Sequence, residues 1–358
     1  MKKKNKSSSR PNLLFFSGCA PTRWNHSMAI KKPLGGSERA VAFLAEEFAR
    51  LHYQVYVLGY VEPEISRAGV RYVRRQDRDE LETITWDVII ISRYIEFFQW
   101  YPRLSARRVY LWIHDRTFHP TIGQLESYFP KISGHVLCLT QWHKKEIETR
   151  YLIKPQTIRV LGNGIPLDLI PALPLENPKI RHRFLFTSTP SRGLGRILEL
   201  WPKILQTFPE ATLRFCTYDS FPKTEEDHRL YSTVLTFPDT ITFLGSLSPK
   251  QLYQEMIMAD MWFYPCTKWE TFCITALEML ACGVLCIYYP VSGLTETMNG
   301  HGLEVSVDNE VEEMYQWRKE EEPMAQVRKK GMIYARSCGW NHRVKDWERL
   351  CFGGEKKM

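Results

Sequence analysis

Two doubly wound α/β domains facing a cleft are what this 358-residue sequence predicts. Three observations carry the prediction. Short apolar runs without polar alternation, as expected of parallel strands covered on both faces, alternate with stretches of helical period. Four prolines accumulate between Asn163 and Pro178 with little periodicity, as in an interdomain linker. The alternation of strand and helix then starts again, in a chain longer than one ordinary core needs.

The first domain is expected over residues 13–165. Residues 13–17 read as a buried strand, and a polar segment then leads to Gly35-Gly36-Ser37-Glu38. From Ala40 the apolar residues recur at Val41, Leu44, Phe48 and Leu51, which gives a helix with one core face. Residues 55–58, 88–92, 109–113 and 136–140 are further strands, and 141–151 a helix. A linker over 166–180 leads to the second domain, 181–337. There 184–188, 212–216, 241–244, 261–264 and 284–288 read as strands, with helices over 192–206 and 248–259. Residues 338–358 hold a last amphipathic stretch, 340–350.

Residues 1–12 form a basic tail carrying five of the 48 Lys and Arg residues in its first ten positions, which accounts for much of the net charge of +8. It reads as a solvated, disordered tail, and an anionic membrane surface is the partner its charge would suit. No apolar run reaches the eighteen or so residues of a membrane span, and the tail lacks a secretory apolar segment. Nine cysteines without a Cys-x2-Cys pair fit reduced thiols and a cytoplasmic location.

The most informative stretch runs from Glu270 to Gly283, two carboxylates eight positions apart at the entry of an apolar helix, followed by the strand 284–288. Glu270 stands where the first backbone N–H groups lack intrahelical partners and the helix dipole favours an anion. Were the helix continuous, Glu278 would lie about 12 Å further along the axis and roughly 80° round it. An arbitrary pair so spaced would be solvated. Here Phe272, Ile274, Leu277, Leu280 and Ala281 leave little solvated face, so the carboxylate at 278 must be partly buried and needs a partner.

Further pieces stand in order along the chain: Gly35-Gly36-Ser37-Glu38, His114-Asp115 after the strand 109–113, Asn163-Gly164-Ile165 at the crossing between domains, and Ser191-Arg192-Gly193-Leu194 after the first strand of the second. Glu270 to Glu278, Ala281-Cys282-Gly283-Val284 and Gly293-Leu294-Thr295-Glu296 complete them. With these the chain resembles glycosyltransferase family 4, the retaining, nucleotide-sugar-dependent enzymes of the GT-B fold. The resemblance implies that the stretch 340–350 is a helix crossing back onto the first domain. It also implies transfer of a sugar from a nucleoside diphosphate to a hydroxyl of a glycan, lipid or protein, without an essential metal or another cofactor. Gly35 and Gly36 would let backbone approach the diphosphate where a Cβ would collide. Arg192 would stabilise that diphosphate as it leaves. His114 would lie beside the donor sugar and Glu270 would meet its hydroxyls or developing positive charge. Phe272, Cys273 and Ile274 would offer backbone N–H groups to phosphate, and Glu278 would hold both ribose hydroxyls. One departure stands out: the family pattern commonly supplies two basic groups, and residues 186–191 contain no Arg or Lys. Arg196, a turn later, is the substitute the sequence offers. Acceptor choice would rest on first-domain loops such as 97–105 and 116–128.

Other readings are weaker. Asp77-Arg78-Asp79 imitates a metal-binding Asp-x-Asp motif but lies in a mixed-charge stretch, so a solvated loop or helix start is expected and no metal site. A nicotinamide-linked dehydrogenase needs Gly-x-Gly-x-x-Gly after its first strand, and Ser17-Gly18-Cys19-Ala20-Pro21 lacks it. Cys273 has no base to make it a nucleophile. Nucleic acid has only the basic tail to bind, so none is expected as a partner. A non-catalytic relative that binds a sugar nucleotide or a partner is the remaining alternative, motivated by the missing basic residue before Arg192.

Overall fold

The structure, a computed structural model, describes residues 10–117, 127–171, 179–218, 220–319 and 321–353. Most of the basic tail, the centre of the 116–128 loop, much of the linker and the last five residues lie outside the described residues.

The first sheet is built from β1 (Asn12–Ser17), β2 (Gln54–Gly59), β3 (Glu64–Ile65), β4 (Arg71–Arg74), β5 (Trp86–Ser92), β6 (Ala106–Trp112), β7 (Val136–Cys138) and β8 (Ile158–Val160). Their order is β3-β4-β2-β1-β5-β6-β7-β8, parallel throughout except where β3 runs against β4. The second sheet contains β9 (Ile180–Thr187), β10 (Thr212–Cys216), β11 (Ile241–Phe243), β12 (Ala259–Tyr264), β13 (Leu285–Tyr288) and β14 (Leu303–Glu304). It is parallel, in the order β11-β10-β9-β12-β13-β14. The apolar runs arise because both faces are covered. Along β1, Leu13 and Phe15 enter one core while Leu14 and Phe16 enter the other.

Strand order reverses between β1 and β5 in one sheet and between β9 and β12 in the other. Ligands of such sheets bind in the crevice beyond the carboxyl ends of the strands at that reversal. The residues that end these strands, Ser17, Ser92, Thr187 and Tyr264, therefore mark where a site can form.

Helices that position the site are α1 (Gly36–Arg50), α2 (Gln141–Tyr151), α3 (Leu194–Thr207), α4 (Pro249–Met258), α5 (Ile274–Ala281), α6 (Ser292–Met298) and α7 (Trp340–Phe352). α7 returns to the first domain as expected. Trp340, Val344, Trp347 and Cys351 enter its core, with the rings of Trp347 and Trp112 4.7 Å apart. The hydroxyl of Tyr53 donates to Glu348 at 2.8 Å, and that of Tyr110 donates to the Leu350 carbonyl at 2.9 Å. The two crossings of the chain are stitched together, Ile165 N–H donating to Cys338 O at 3.2 Å and Trp340 N–H to Ile165 O at 3.1 Å.

Several boundaries move for local reasons. The strand expected over 136–140 ends at Cys138 because Thr140 caps α2, its hydroxyl accepting from His143 N–H at 3.1 Å. The helix expected from Arg192 starts at Leu194, because Gly193 takes φ 119° and turns the chain after a short 3₁₀ turn, Pro190–Arg192. Asp77 and Asp79 are exposed, at a 3₁₀ turn and a helix start. Among the described residues no helix is long and apolar enough to cross a membrane.

Candidate functional site between the two domains

The helix α5 carries the second glutamate but not the first. It begins at Ile274, so Glu270 to Cys273 form a loop and the helical spacing expected between Glu270 and Glu278 does not apply. That loop is pinned from both domains. Thr271 Oγ1 donates to the carbonyl of His114 at 2.7 Å, and Thr140 Oγ1 donates to the carbonyl of Thr271 at 3.1 Å. From the second domain, Gly293 N–H donates to the Glu270 carbonyl at 2.9 Å. Close by, the Glu296 carboxylate of α6 accepts from the N–H groups of Gln141 and Trp142 at 2.7 and 2.6 Å, capping α2 across the seam.

Glu270 and Arg192 meet. Arg192 Nη1 lies 2.7 Å from Glu270 Oε1 and 3.2 Å from the Trp269 carbonyl, and the hydroxyl of Tyr264, at the end of β12, donates to the same Oε1 at 2.6 Å. Burial raises the pKa of Glu270 above the ordinary carboxylate value, and the opposing pull of Arg192 and Tyr264 does not fully offset it. No side chain caps α5, whose N-cap is Cys273, so the N–H groups at the start of that helix are available to an anion. The Cys273 thiol is pushed well above its usual range by burial and then by Glu270, which disposes of it as a nucleophile.

His114 follows β6 with its ring 4.4 Å from that of Trp112. Burial, Arg93 and His143 hold its pKa well below the ordinary value, so the ring is neutral at pH 7. Its Nε2 is buried without a hydrogen-bond partner. Arg93 joins this strand end to the glycine helix: its Nε donates to Asp115 at 2.6 Å, and Nη1 donates to Ser37 Oγ at 3.3 Å and lies 3.6 Å from Glu38. Gly35 is the N-cap of α1 and Gly36 its first residue, both with negative φ. A Cβ on Gly36 would stand only 3.6 Å from Ile274 Cδ1, so the two helix starts face each other across the cleft.

Glu278 is 2 % exposed. The hydroxyl of Tyr253, on α4, donates to its Oε1 at 2.6 Å, and Arg39 of α1 reaches the same oxygen at 3.2 Å and the Tyr253 hydroxyl at 3.1 Å. The need for a buried partner, read from the sequence, is met by two residues that the sequence did not single out. Arg39 directly follows the Gly-Gly-Ser-Glu run, which could have flagged it. Nothing marks Tyr253 or Tyr264 apart from other core tyrosines until the strands are ordered.

Arg196 is not brought to this cluster as a free cation. Its guanidinium is taken by Glu310, Glu199 and Asp308, at 2.9, 3.0 and 2.9 Å. It lines a cavity of about 610 Å³ in the second domain, between the turn after β9 and the segment after β10, with Ser191, Tyr218, Lys223 and Thr267 among its walls. The cavity at the seam beside Arg39, Thr187, Tyr218 and Leu252 is only about 30 Å³. Pockets for small ligands run to about 300–1,000 Å³, so this cavity takes a nucleotide sugar only if its walls move. Among the described residues no group of three or more His, Cys, Asp or Glu could hold a metal ion.

Two parallel doubly wound domains, a seam running along a Glu-x7-Glu segment and a last helix crossing back define a protein of the GT-B class. Residues 184–330 match the profile of the family described as glycosyl transferases group 1. Among curated proteins it is similar to one subunit of the human phosphatidylinositol N-acetylglucosaminyltransferase, 23 % identical over 175 residues, which is 46 % of this chain. The match spans about a third of that relative, 34 % of its length. Among solved structures it is similar to a glycosyltransferase from Rickettsia africae (TM-score 0.74, 12 % identity, covering 98 % of this chain and 100 % of that one). A sucrose-phosphate synthase from Thermosynechococcus elongatus gives a TM-score of 0.72 at 16 % identity, over 95 % and 98 % of the two chains. HepE of Anabaena, solved with UDP and glucose, gives 0.69 at 14 %, over 95 % and 99 %. At these identities the structures establish a shared fold.

Proposed function

We propose that this protein transfers a sugar from a nucleoside diphosphate to a hydroxyl acceptor with retention of configuration. One observation carries the reading most directly. The Glu-x7-Glu segment is bound at both ends to the first domain, through Thr271 to His114 and through Glu278 to Arg39, so it lies along the cleft where two such domains share a ligand. In this reading Glu270, His114 and the start of α5 face the sugar and diphosphate, with Gly35 and Gly36 opposite, and Glu278 takes the ribose hydroxyls once the domains part. The family match and the likeness to a structure holding UDP and glucose support that choice of ligand.

The acceptor hydroxyl attacks the anomeric carbon from the face the diphosphate leaves. The bond to the diphosphate oxygen breaks through an oxocarbenium-like state, that oxygen takes the acceptor's proton, and the new glycosidic bond forms on the same face. Preorganised charge rather than acid–base chemistry then supplies most of the acceleration. Neutral His114, with its unpartnered Nε2, is suited to hydrogen-bond a sugar hydroxyl. No step requires a metal.

A second reading, a binder without activity, draws on Arg196 being held by three carboxylates, which leaves Arg192 without a basic neighbour from its own turn. A panel of UDP-, GDP- and ADP-sugars separates the two, scored by thermal shift and by hydrolysis or transfer with and without chelator. Turnover that survives chelator is expected. Binding without transfer or hydrolysis on any acceptor offered favours the binder, and loss of turnover restored by manganese or magnesium overturns the metal-free step.

A further inference from the structure

A departing nucleoside diphosphate carries several negative charges, and the two arginines that follow β9 are both already engaged by carboxylates. Arg192 is shared with Glu270 at 2.7 Å, and Arg196 is engaged elsewhere. The first domain offers another cation. One helical turn beyond Gly36, α1 presents Arg39 to the seam, where it stands 3.2 Å from Glu278 and 3.1 Å from the Tyr253 hydroxyl. Its Nε is buried without a partner. So is Oγ1 of Thr187, the residue that ends β9 at the strand reversal. Both residues border the same small cavity between the domains. A guanidinium N–H and a hydroxyl, both buried without partners, thus border one cavity, where a polar ligand can pair with both.

Glu278 makes the same demand from the other side. Its Oε1 already receives Tyr253 and Arg39, so a ribose that donates one hydroxyl to each carboxylate oxygen competes with them at Oε1. Tyr253 is fixed within its own domain on α4, whereas Arg39 comes from across the cleft and leaves when the domains part.

We propose that Arg39 is the second phosphate-binding cation of the site, held in reserve on Glu278 until a donor arrives. The ribose takes Glu278, and the released guanidinium passes to the diphosphate beside Thr187, across the cleft from Arg192. Two guanidinium groups from opposite domains then couple donor binding to closure. The inference rests on the seam being a nucleotide-sugar site.

Calorimetry on the full-length protein tests it, with UDP, GDP and ADP and their parent nucleosides uridine, guanosine and adenosine titrated into wild type, R39Q and R39K. For the base that the wild type prefers, R39Q is expected to weaken diphosphate binding at least tenfold. Its binding of the nucleoside should hold or tighten, because Glu278 is freed, and R39K should fall between. R39M keeps the buried stem and stands in should R39Q fail to fold. Equal binding of diphosphate by R39Q and wild type overturns the proposal, as does an equal gain for diphosphate and nucleoside, which would make Arg39 a clamp on Glu278 alone. Lys32 borders the same cavity, and a selective loss in K32Q instead of R39Q overturns it too. A wild type that binds none of the diphosphates defeats the underlying reading, and the proposal with it.

Discussion

Arg192 Nη1 stands 2.7 Å from Oε1 of Glu270, the same oxygen that accepts from Tyr264 at 2.6 Å. One carboxylate thus holds in place the cation that the second domain supplies. The arrangement fixes the direction of the guanidinium before any ligand arrives, which is what preorganised stabilisation of a leaving anion requires.

Arg192→Ala is expected to lower turnover by ten- to a hundredfold or more, since charge-assisted hydrogen bonds contribute about 1.5–3 kcal/mol. It should also leave Glu270 without its counter-charge. Burial already raises that pKa, so the acidic limb of the kcat/KM profile should move to higher pH in the variant. Single-turnover rates across a pH series check both effects. Unchanged turnover in a folded Arg192→Ala protein would show that Arg192 does not stabilise the departing diphosphate.

The fold was legible because parallel strands buried on both faces leave an unambiguous apolar signature, as in residues 88–92 and 109–113. Edge strands β3, β8 and β14, and β4 next to an edge, are short or mixed in polarity, and carry no such signal. The site was legible where one segment contains it: Glu278 among apolar neighbours announces a buried carboxylate. Its partners were not. Arg39 and Tyr253 lie on other elements, 239 and 25 positions away by difference of residue number, and only the folded arrangement of α1, α4 and α5 brings their side chains to it. The helical spacing read between Glu270 and Glu278 does not hold, for a local reason: Thr271 and the Glu270 carbonyl are bonded outward, to His114 and Gly293, so this stretch is held as a loop.

Gly293 supports that loop from beneath. A Cβ there would stand 2.5 Å from the Thr271 carbonyl oxygen, 2.7 Å from Thr140 Oγ1 and 2.9 Å from the Glu270 carbonyl oxygen. Two of these are backbone atoms of the very segment that aims Glu270, and they cannot swing aside as a side chain would. Gly293→Ala should therefore cost roughly 1–3 kcal/mol of stability, typical of overpacking. It should depress turnover more than nucleoside diphosphate affinity, because the displaced carboxylate is Glu270 and not Glu278. Urea unfolding and steady-state kinetics measure the two; a variant with wild-type turnover would mean that the loop tolerates the shift.

Two buried histidines set a pH dependence of stability. His143 accepts from Leu139 N–H at Nδ1 and has Nε2 2.9 Å from the Asp115 carbonyl, an arrangement suited to the neutral ring. Burial holds its pKa down at about 4. Between that value and about 6.5 the unfolded chain binds the proton that the native ring refuses, so stability rises with pH through this window and is lost as pH falls below about 6.5. His143 alone should account for roughly 2 kcal/mol by pH 5. His114, lowered for the same reason, adds to it. Denaturant unfolding at pH 7.5 and pH 5 should show the loss, and His143→Gln should reduce it. A wild-type stability that is flat across this range, or an equal loss in the variant, contradicts the assignment.

The two glutamates should separate kinetically. Glu278 is held by Tyr253 and Arg39 and, in the proposed function, exchanges Arg39 for ribose; that bond pair is present in ground and transition states alike. Glu278→Gln keeps the shape but replaces a charged acceptor by an amide oxygen, so nucleoside diphosphate binding should weaken by about 1–3 kcal/mol with a smaller effect on the chemical step. The same change leaves Arg39 buried without its counter-charge, so the ligand-free protein should also lose stability. Glu270 meets the reacting sugar in this reading and gains importance as positive charge develops there. Glu270→Gln should therefore lower single-turnover rates far more than it weakens diphosphate binding. Calorimetry with the nucleoside diphosphate, run beside single-turnover measurements on both variants, makes the comparison. Uniform binding and transition-state stabilisation leave different kinetic signatures, so the contrast between the variants decides the matter whatever their absolute losses. Identical profiles, or reversed roles, would mean that sugar and ribose do not lie along Glu270 and Glu278 in this order.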